Sequence, residues 1–414
     1  MQILLLTPAY PPFPGGGERY AGALARELVR RGHIVTAVST AAQTEQDLWR
    51  GSAITHAAAG IENDVHIHRL PIRPFPFKRN GLLAWRKMMV VLSMLGKQTA
   101  VLQKMSRLIP PIQQLEATLD SLPDQYDIVH AFNLSWEYPM MAGWQYARAK
   151  GIPFVITPFA HFGTGDDRVA YNATMNHQLA AMRDADRLLV LTSIEQDGLA
   201  QLGMSRDRIS VIGGGLDELP SMGDRAELLQ RFGIKRPFVI FIGRGSYDKG
   251  AIHAAQAIIA LRQQGVDIQL IHVGQTSPEF DQFIRKQADS GAIRPLGILD
   301  ESDKHGLLAA ANALLLPSRT DSFGIVFLEA WAHGVPVIGA QAGGIPGVVD
   351  DEINGLLVPF ADVGQLTTAI RRLLTTPALA AKLGQAGKEK VATQYSWEEV
   401  GACVSAQYEA IKAN

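Results

Sequence analysis

Cysteine is nearly absent: Cys403 is the only one in 414 residues. An intramolecular disulfide is therefore excluded, and a reducing, cytoplasmic compartment is expected. No uninterrupted apolar run reaches the roughly 18 residues of a spanning helix, so none is predicted to cross a bilayer, although 47% of the residues are hydrophobic. Basic excess is also missing. The net charge is −1, which gives no support to nucleic-acid binding. No Gly-Lys-Ser/Thr sequence occurs, so the phosphate-cradling P-loop is excluded. The stretch Gly243-Arg-Gly245 begins a dinucleotide fingerprint, but Asp248 stands where its third glycine belongs, which argues against a nicotinamide-dependent oxidoreductase.

What is present is alternation. Gln2–Leu6 is an apolar strand ended by Thr7-Pro8, and the lack of a basic n-region argues against a signal sequence there. Pro14-Gly-Gly-Gly17 is a loop, and a helix starting near Glu18 follows with Ala21, Leu24, Ala25 and Leu28 at helical spacing. Ile34 to Val38, Asp127 to His130, Phe154 to Thr157, Arg187 to Leu191 and Ile209 to Ile212 continue as strands. Pro220 to Pro237 is a polar linker with a helix, and Phe238 to Ile242 and Ile268 to Val273 open a second set of strands. Strands alternating with helices imply parallel sheets covered by helices, and the length implies two domains.

The richest stretch runs from Arg319 to Ile338. Ala313–Leu316 is a strand, a polar loop follows, Ile325 to Ala332 is a helix stopped by Gly334, and Val335-Pro-Val-Ile338 starts another strand. The loop carries Asp321 and Gly324, and Glu329 follows Asp321 by eight positions. Gly324 lets a ligand approach the backbone, and first-turn N–H groups suit a phosphate. Glu329, one turn in, is placed to accept from a sugar hydroxyl.

This segment resembles the signature of the retaining family 4 nucleotide-sugar glycosyltransferases, which have the GT-B fold. The resemblance implies two Rossmann-like α/β domains facing across a cleft. Residues 1–218 would be the N-terminal acceptor-binding domain and 219–390 the C-terminal nucleotide-sugar-binding domain. A last helix within 391–414 would cross back to pack on the N-terminal domain. It implies that Glu329 holds the donor ribose, that the backbone of Phe323, Gly324, Ile325 and Val326 meets the diphosphate, and that Asp321 lies by the transferred sugar. The family usually has Glu where this chain has Asp321.

Other positions match the same pattern. Arg244 and Lys249, after Gly243, have the family's spacing of Arg, four residues, then Lys-Gly. The two cations would neutralise the leaving diphosphate, which is electrostatic catalysis with no metal and no further cofactor. His161, in Thr157-Pro-Phe-Ala-His161-Phe-Gly163, stands where the family often has a histidine beside the sugar. Gly16 and Gly17, followed by Glu18-Arg19, match a glycine-rich loop facing donor phosphates or acceptor. On residue type alone each position has a plainer reading: a flexible turn, solvated cations, an ordinary loop histidine. His130 is read as structural, and Val211-Ile-Gly-Gly-Gly-Leu-Asp217 as an inter-domain turn.

Acidic residues are missing from Val65 to Leu115, which holds Arg69, Arg73, Lys78, Arg79, Arg86, Lys87, Lys97, Lys104 and Arg107 among Phe75, Phe77, Trp85 and many aliphatic residues. Two readings stand. The segment lies on an anionic membrane surface, making the enzyme peripheral at its inner face, or it packs on the domain with a solvated basic side.

The expected activity is transfer of a sugar from a nucleoside-diphosphate sugar to a hydroxyl acceptor, with retention, in glycan, polysaccharide or glycolipid biosynthesis. The acceptor is a sugar, a lipid-linked molecule or a small molecule. A nucleotide-sugar epimerase of similar architecture and a non-catalytic nucleotide-sugar-binding protein are the alternatives. Joint retention of Arg244, Lys249, Asp321 and Glu329 argues against the second.

Overall fold

The computed structural model describes residues 1–96, 98–123, 125–163, 168–234, 237–287 and 291–413. Lys97, one of the expected basic residues, lies outside them. The chain forms two compact units: 1–160, 168–215 and 397–414 make the first, and 161–167 with 216–396 the second. The passage at Gly215/Leu216 falls within the glycine run read as a turn. His161 belongs to the second unit although the strand before it belongs to the first, an excursion that alternation of elements does not reveal.

The first unit is built on eight strands: β1 (Gln2–Leu6), β2 (Ile34–Thr40), β3 (Ala58–Glu62), β4 (Val65–Leu70), β5 (Ile128–Phe132), β6 (Phe154–Thr157), β7 (Arg187–Val190) and β8 (Ile209–Val211). Their spatial order is β3-β4-β2-β1-β5-β6-β7-β8. All pairs are parallel except β3 with β4. Ile3, Leu4, Leu5 and Leu6 are all buried, as in strands covered on both faces. β3, fully exposed and reading Ala-Ala-Gly-Ile-Glu, has no apolar alternation to announce it.

The helix Trp397–Lys412 packs in this unit. Trp397 meets Tyr20 edge-on at 5.0 Å, Lys412 pairs with Asp127 at 2.6 Å, and the Tyr408 hydroxyl sits 2.6 Å from His130 Nδ1. His130 also meets Thr157 Oγ1 at 2.8 Å. It is a buried structural histidine, as its strand position suggested.

The second unit is a wholly parallel six-stranded sheet of β9 (Phe238–Ile242), β10 (Gln269–Val273), β11 (Ile293–Gly297), β12 (Leu314–Leu316), β13 (Val337–Ala340) and β14 (Gly355–Val358), in the order β11-β10-β9-β12-β13-β14. Trp331, fully buried in the helix Ile325–Ala332, donates its Nε1–H to the Asn354 carbonyl at 2.8 Å and packs where Gly387 leaves room.

Candidate active site

The sheet order of the second unit creates the site. From β9 the chain moves to β10 and β11 on one side, then returns to β12 on the other. Loops leaving β9 and β12 therefore diverge at a topological switch point, where open α/β sheets bind ligands. These are the loops 243–250 and 317–324.

The two loops are locked together. Arg319 N–H donates to the Asp248 carbonyl at 3.0 Å, and its guanidinium reaches Asp248 Oδ1 at 2.8 and 2.9 Å. The same guanidinium lies over Tyr247 and Phe360, 5.7 and 5.1 Å from their ring centres. Gly250 has φ +79, and a Cβ there would overlap the Pro317 carbonyl, so glycine is required on both counts. Arg319 was not among the expected site residues. Its position inside the motif was visible, but its partner in a distant loop was not.

Lys249 Nζ donates to Asp321 Oδ1 at 2.7 Å. Both side chains are mostly buried. Burial pushes the Asp321 carboxyl up, but Lys249, Ser318 and His161 together hold it below the ordinary aspartate value. His161 is thus an electrostatic neighbour of Asp321, within one unit. Its loop is tied down where Gly343 N–H donates to the Gly163 carbonyl at 2.9 Å, and Gly344 N–H donates to the Asp321 carbonyl at 2.7 Å. A Cβ on Gly343 would come within 2.5 Å of that Asp321 oxygen. Arg244 is exposed on the 243–250 loop, after Gly243 with φ +139.

Gly324, at φ +84, turns the chain into the helix Ile325–Ala332, and no side chain caps that helix. The first-turn N–H groups of Ile325 and Val326 point out of a positive helix end suited to phosphate. Phe323 is buried, its ring edge-on to Tyr395 at 5.6 Å, so any ligand contact from it must come from the backbone.

Glu329 is 2% exposed, in the same helix. Lys304 Nζ lies 3.0 Å from its Oε1 and 2.7 Å from Glu301 Oε2. Glu301, His305 and Glu329 bring ligand-type atoms within 4.8 Å of one another, the one such grouping found among the described residues. The Lys304 ammonium already supplies a cation to two of the three.

Gly16 and Gly17 belong to the first unit and are described with it. They do not form a loop: the helix runs from Gly16 to Arg30, with Gly15 before it, so the expected start near Glu18 is two residues late. Gly17 leaves room for the Phe159 ring, which a Cβ would meet at 3.0 Å, whereas Gly16 faces open space. The first has a packing reason on its own account.

Comparison with known proteins bears on the family and the fold. A profile described as "Glycosyl transferases group 1" matches residues 224–390, and one described as "Glycosyl transferase 4-like domain" matches residues 15–215. D-inositol 3-phosphate glycosyltransferase 1 of Catenulispora acidiphila is 30% identical over 300 residues, 67% of this chain and 70% of that protein. Among solved structures, sucrose-phosphate synthase from Thermosynechococcus elongatus superposes with a TM-score of 0.77 at 21% identity, covering 100% of both chains. The Anabaena protein HepE, solved with UDP and glucose, gives 0.72 at 18%, covering 99% of this chain and 100% of its own.

Proposed function

The chain belongs to the retaining family 4 glycosyltransferases of GT-B fold, enzymes of glycan biosynthesis that use nucleotide-sugar donors, and from that premise we propose how its residues divide the work. One observation carries the proposal: the cation of one loop, Lys249, and the acid of the other, Asp321, meet at the switch point beside an uncapped helix end.

The diphosphate binds against the N–H groups of Ile325 and Val326, with Lys249 and Arg244 supplying positive charge. Glu329 accepts from the ribose hydroxyls. Asp321 and His161 flank the sugar. The acceptor hydroxyl attacks from the side of the departing phosphate, which takes the proton. No side chain forms a covalent intermediate. Charge grows on the phosphate as the glycosidic bond breaks, so fixed cations stabilise the transition state more than the ground state. No metal enters this scheme. A panel of UDP, ADP and GDP sugars, scored by release of the nucleoside diphosphate with an acceptor mixture and with EDTA, tests it. Loss of turnover with EDTA, restored by a divalent ion, would contradict the metal-free route.

The site of action is proposed from a second observation. The helix Lys78–Met94 buries only Leu82 and Met89. Leu83, Met88, Val91 and Met94 are all exposed, with Val91 at 57% and Met94 at 61%, and Leu95 just beyond is at 72%. Their spacing puts them on one face, opposite the buried pair. Lys78, Arg79 and Lys87 are exposed on the same helix. An exposed apolar face with Lys87 within it and further cations on the same helix fits an anionic lipid surface, and the acceptor is then lipid-linked or membrane-proximal. Among the described residues, no helix is long and apolar enough to cross a membrane.

A further inference from the structure

Lys304 occupies an unusual place. Lysine is seldom buried without a partner, yet Lys304 is only 5% exposed. It also stands in the first turn or so of the helix Glu301–Ala310, where the helix dipole disfavours a cation. Two carboxylates offset both costs. Glu301, from the same helix, is half exposed, whereas the Glu329 side chain is 3% exposed and comes from the neighbouring helix Ile325–Ala332. The Lys304–Glu329 contact is therefore a buried ion pair between two elements. Losing one member of such a pair strands the other's charge.

We infer that Lys304 is a positioning residue for the donor ribose: its ammonium, pinned by Glu301 and bonded to Glu329 Oε1, keeps the Glu329 carboxylate turned to accept from ribose hydroxyls. A carboxylate on a flexible side chain accepts well from a sugar only if its rotamer is fixed beforehand, since ordering it at the moment of binding costs entropy. Lys304 fixes it by holding one oxygen. Glu301 completes the device, because it holds the ammonium from the solvent side and leaves its position determined without ligand. The inference rests on the reading of Glu329 as the ribose ligand.

The test is equilibrium binding of UDP, ADP and GDP and of their 2′-deoxy counterparts to the full chain. The readout is the ratio of ribo to deoxy affinity for the nucleotide that the wild type binds most tightly. Lys304→Met and Glu329→Gln should each lower ribonucleotide affinity about 10- to 150-fold and bring the ratio near one. The double variant should be no worse than Glu329→Gln alone, and Lys304→Arg should keep most of the preference. Lys304→Gln serves as the second variant should the methionine form not fold. A wild-type ratio in folded Lys304→Met or Lys304→Gln, with a lowered ratio in Glu329→Gln, overturns the role of Lys304. An unchanged ratio in Glu329→Gln overturns the ribose reading and this inference with it.

Discussion

Lys249 Nζ lies 2.7 Å from Asp321 Oδ1 across 72 residues of sequence, joining the cation assigned to the diphosphate and the acid assigned to the sugar. Each neutralises the other within a largely buried site, so neither charge is costly before a donor arrives. When phosphate draws Lys249, Asp321 keeps its place through the Gly344 N–H bond to its own carbonyl.

Lys249→Ala should therefore lower turnover more than donor affinity, and it should also change acid stability. In the wild type the Asp321 carboxyl is held low, so its stabilising contribution is present above the unfolded aspartate value, about 3.9, and is lost as pH falls through the lower folded value. Without Lys249, burial wins and that carboxyl rises. Thermal unfolding followed from about pH 7 to 3 should show the variant's deficit against the wild type greatest near neutrality and shrinking as pH falls, because the raised carboxyl takes up its proton in the folded state and the stranded buried charge is relieved. Superimposable curves would remove the proposed electrostatic coupling.

Asp321→Glu and Asp321→Asn separate a role at the sugar from a structural one. A charge by the sugar predicts partial activity in Glu, which restores the family's usual acid, and near-complete loss in Asn. If Asp321 only shaped the turn, Asn would be nearly neutral, since its amide makes the same kind of local hydrogen bond. Native-like turnover in Asp321→Asn would leave this residue without a role in transfer.

Gly250→Ala and Gly344→Ala test the packing of the site loops. Gly250 combines φ +79 with overlap on the Pro317 carbonyl, and a Cβ on Gly344 would overlap the Ser322 carbonyl. Overpacking of this kind costs about 1–3 kcal/mol, which for a unit of this size lowers Tm by roughly 2–12 °C. Turnover should fall further than stability alone explains, because Asp321 moves with the displaced loop. Gly16→Ala, at open space in the first unit, is the control that should leave Tm nearly unchanged.

His130 gives a pH signature far from the chemistry. Burial depresses it to about 3, between the Tyr408 and Thr157 hydroxyls. The unfolded chain takes up a proton near pH 6.5 that the folded chain refuses, so stability is present above about 6.5 and is lost as pH falls from there toward about 3. His130→Gln keeps hydrogen-bonding capacity but cannot charge. Its unfolding midpoint should vary less between about pH 6.5 and 4 than the wild type's. An equal slope would mean that other groups carry the acid sensitivity.

How much of this was legible in the sequence depends on distance along the chain. The strand–loop–helix unit around Asp321, Gly324 and Glu329 could be read because its period, breaker and polar loop lie within twenty residues. The Lys249–Asp321 pairing could be placed only as two motifs, since spacing says nothing of which loops share a switch point. Lys304 and Arg319 stayed hidden for the same reason: each is defined by a partner on another element. The glycines at 16 and 17 misled in detail, because a helix can begin on glycine when a ring such as Phe159 needs the space.

The basic segment was legible in composition and wrong in emphasis. Arg86 is no surface cation: it pairs with the fully buried Glu137 at 3.2 Å and anchors the helix to the unit. Arg69 and Arg107 are engaged with Glu62 and Glu116. Outward on the helix Lys78–Met94 and just after it stand Leu83, Met88, Val91, Met94 and Leu95, with Lys78, Arg79 and Lys87 exposed on the same helix and Arg73 and Lys104 exposed elsewhere in the segment. Docking by that face should therefore have two components. Lys78→Gln, Arg79→Gln and Lys87→Gln together should weaken binding to vesicles containing anionic lipid, an effect that salt also produces, since each cation is worth about 1 kcal/mol near the surface. Val91→Asp with Met94→Asp should abolish it even at low salt, because insertion of the apolar face is lost. Both sets should leave nucleotide affinity unchanged, as the donor residues lie in the other unit. Arg86→Gln, by contrast, should lower thermal stability by taking the guanidinium from the buried Glu137, which is left with His177 and Gln178 alone. Absence of vesicle binding by the wild type at low salt would sink the membrane reading, and the exposed face would then need a different occupant.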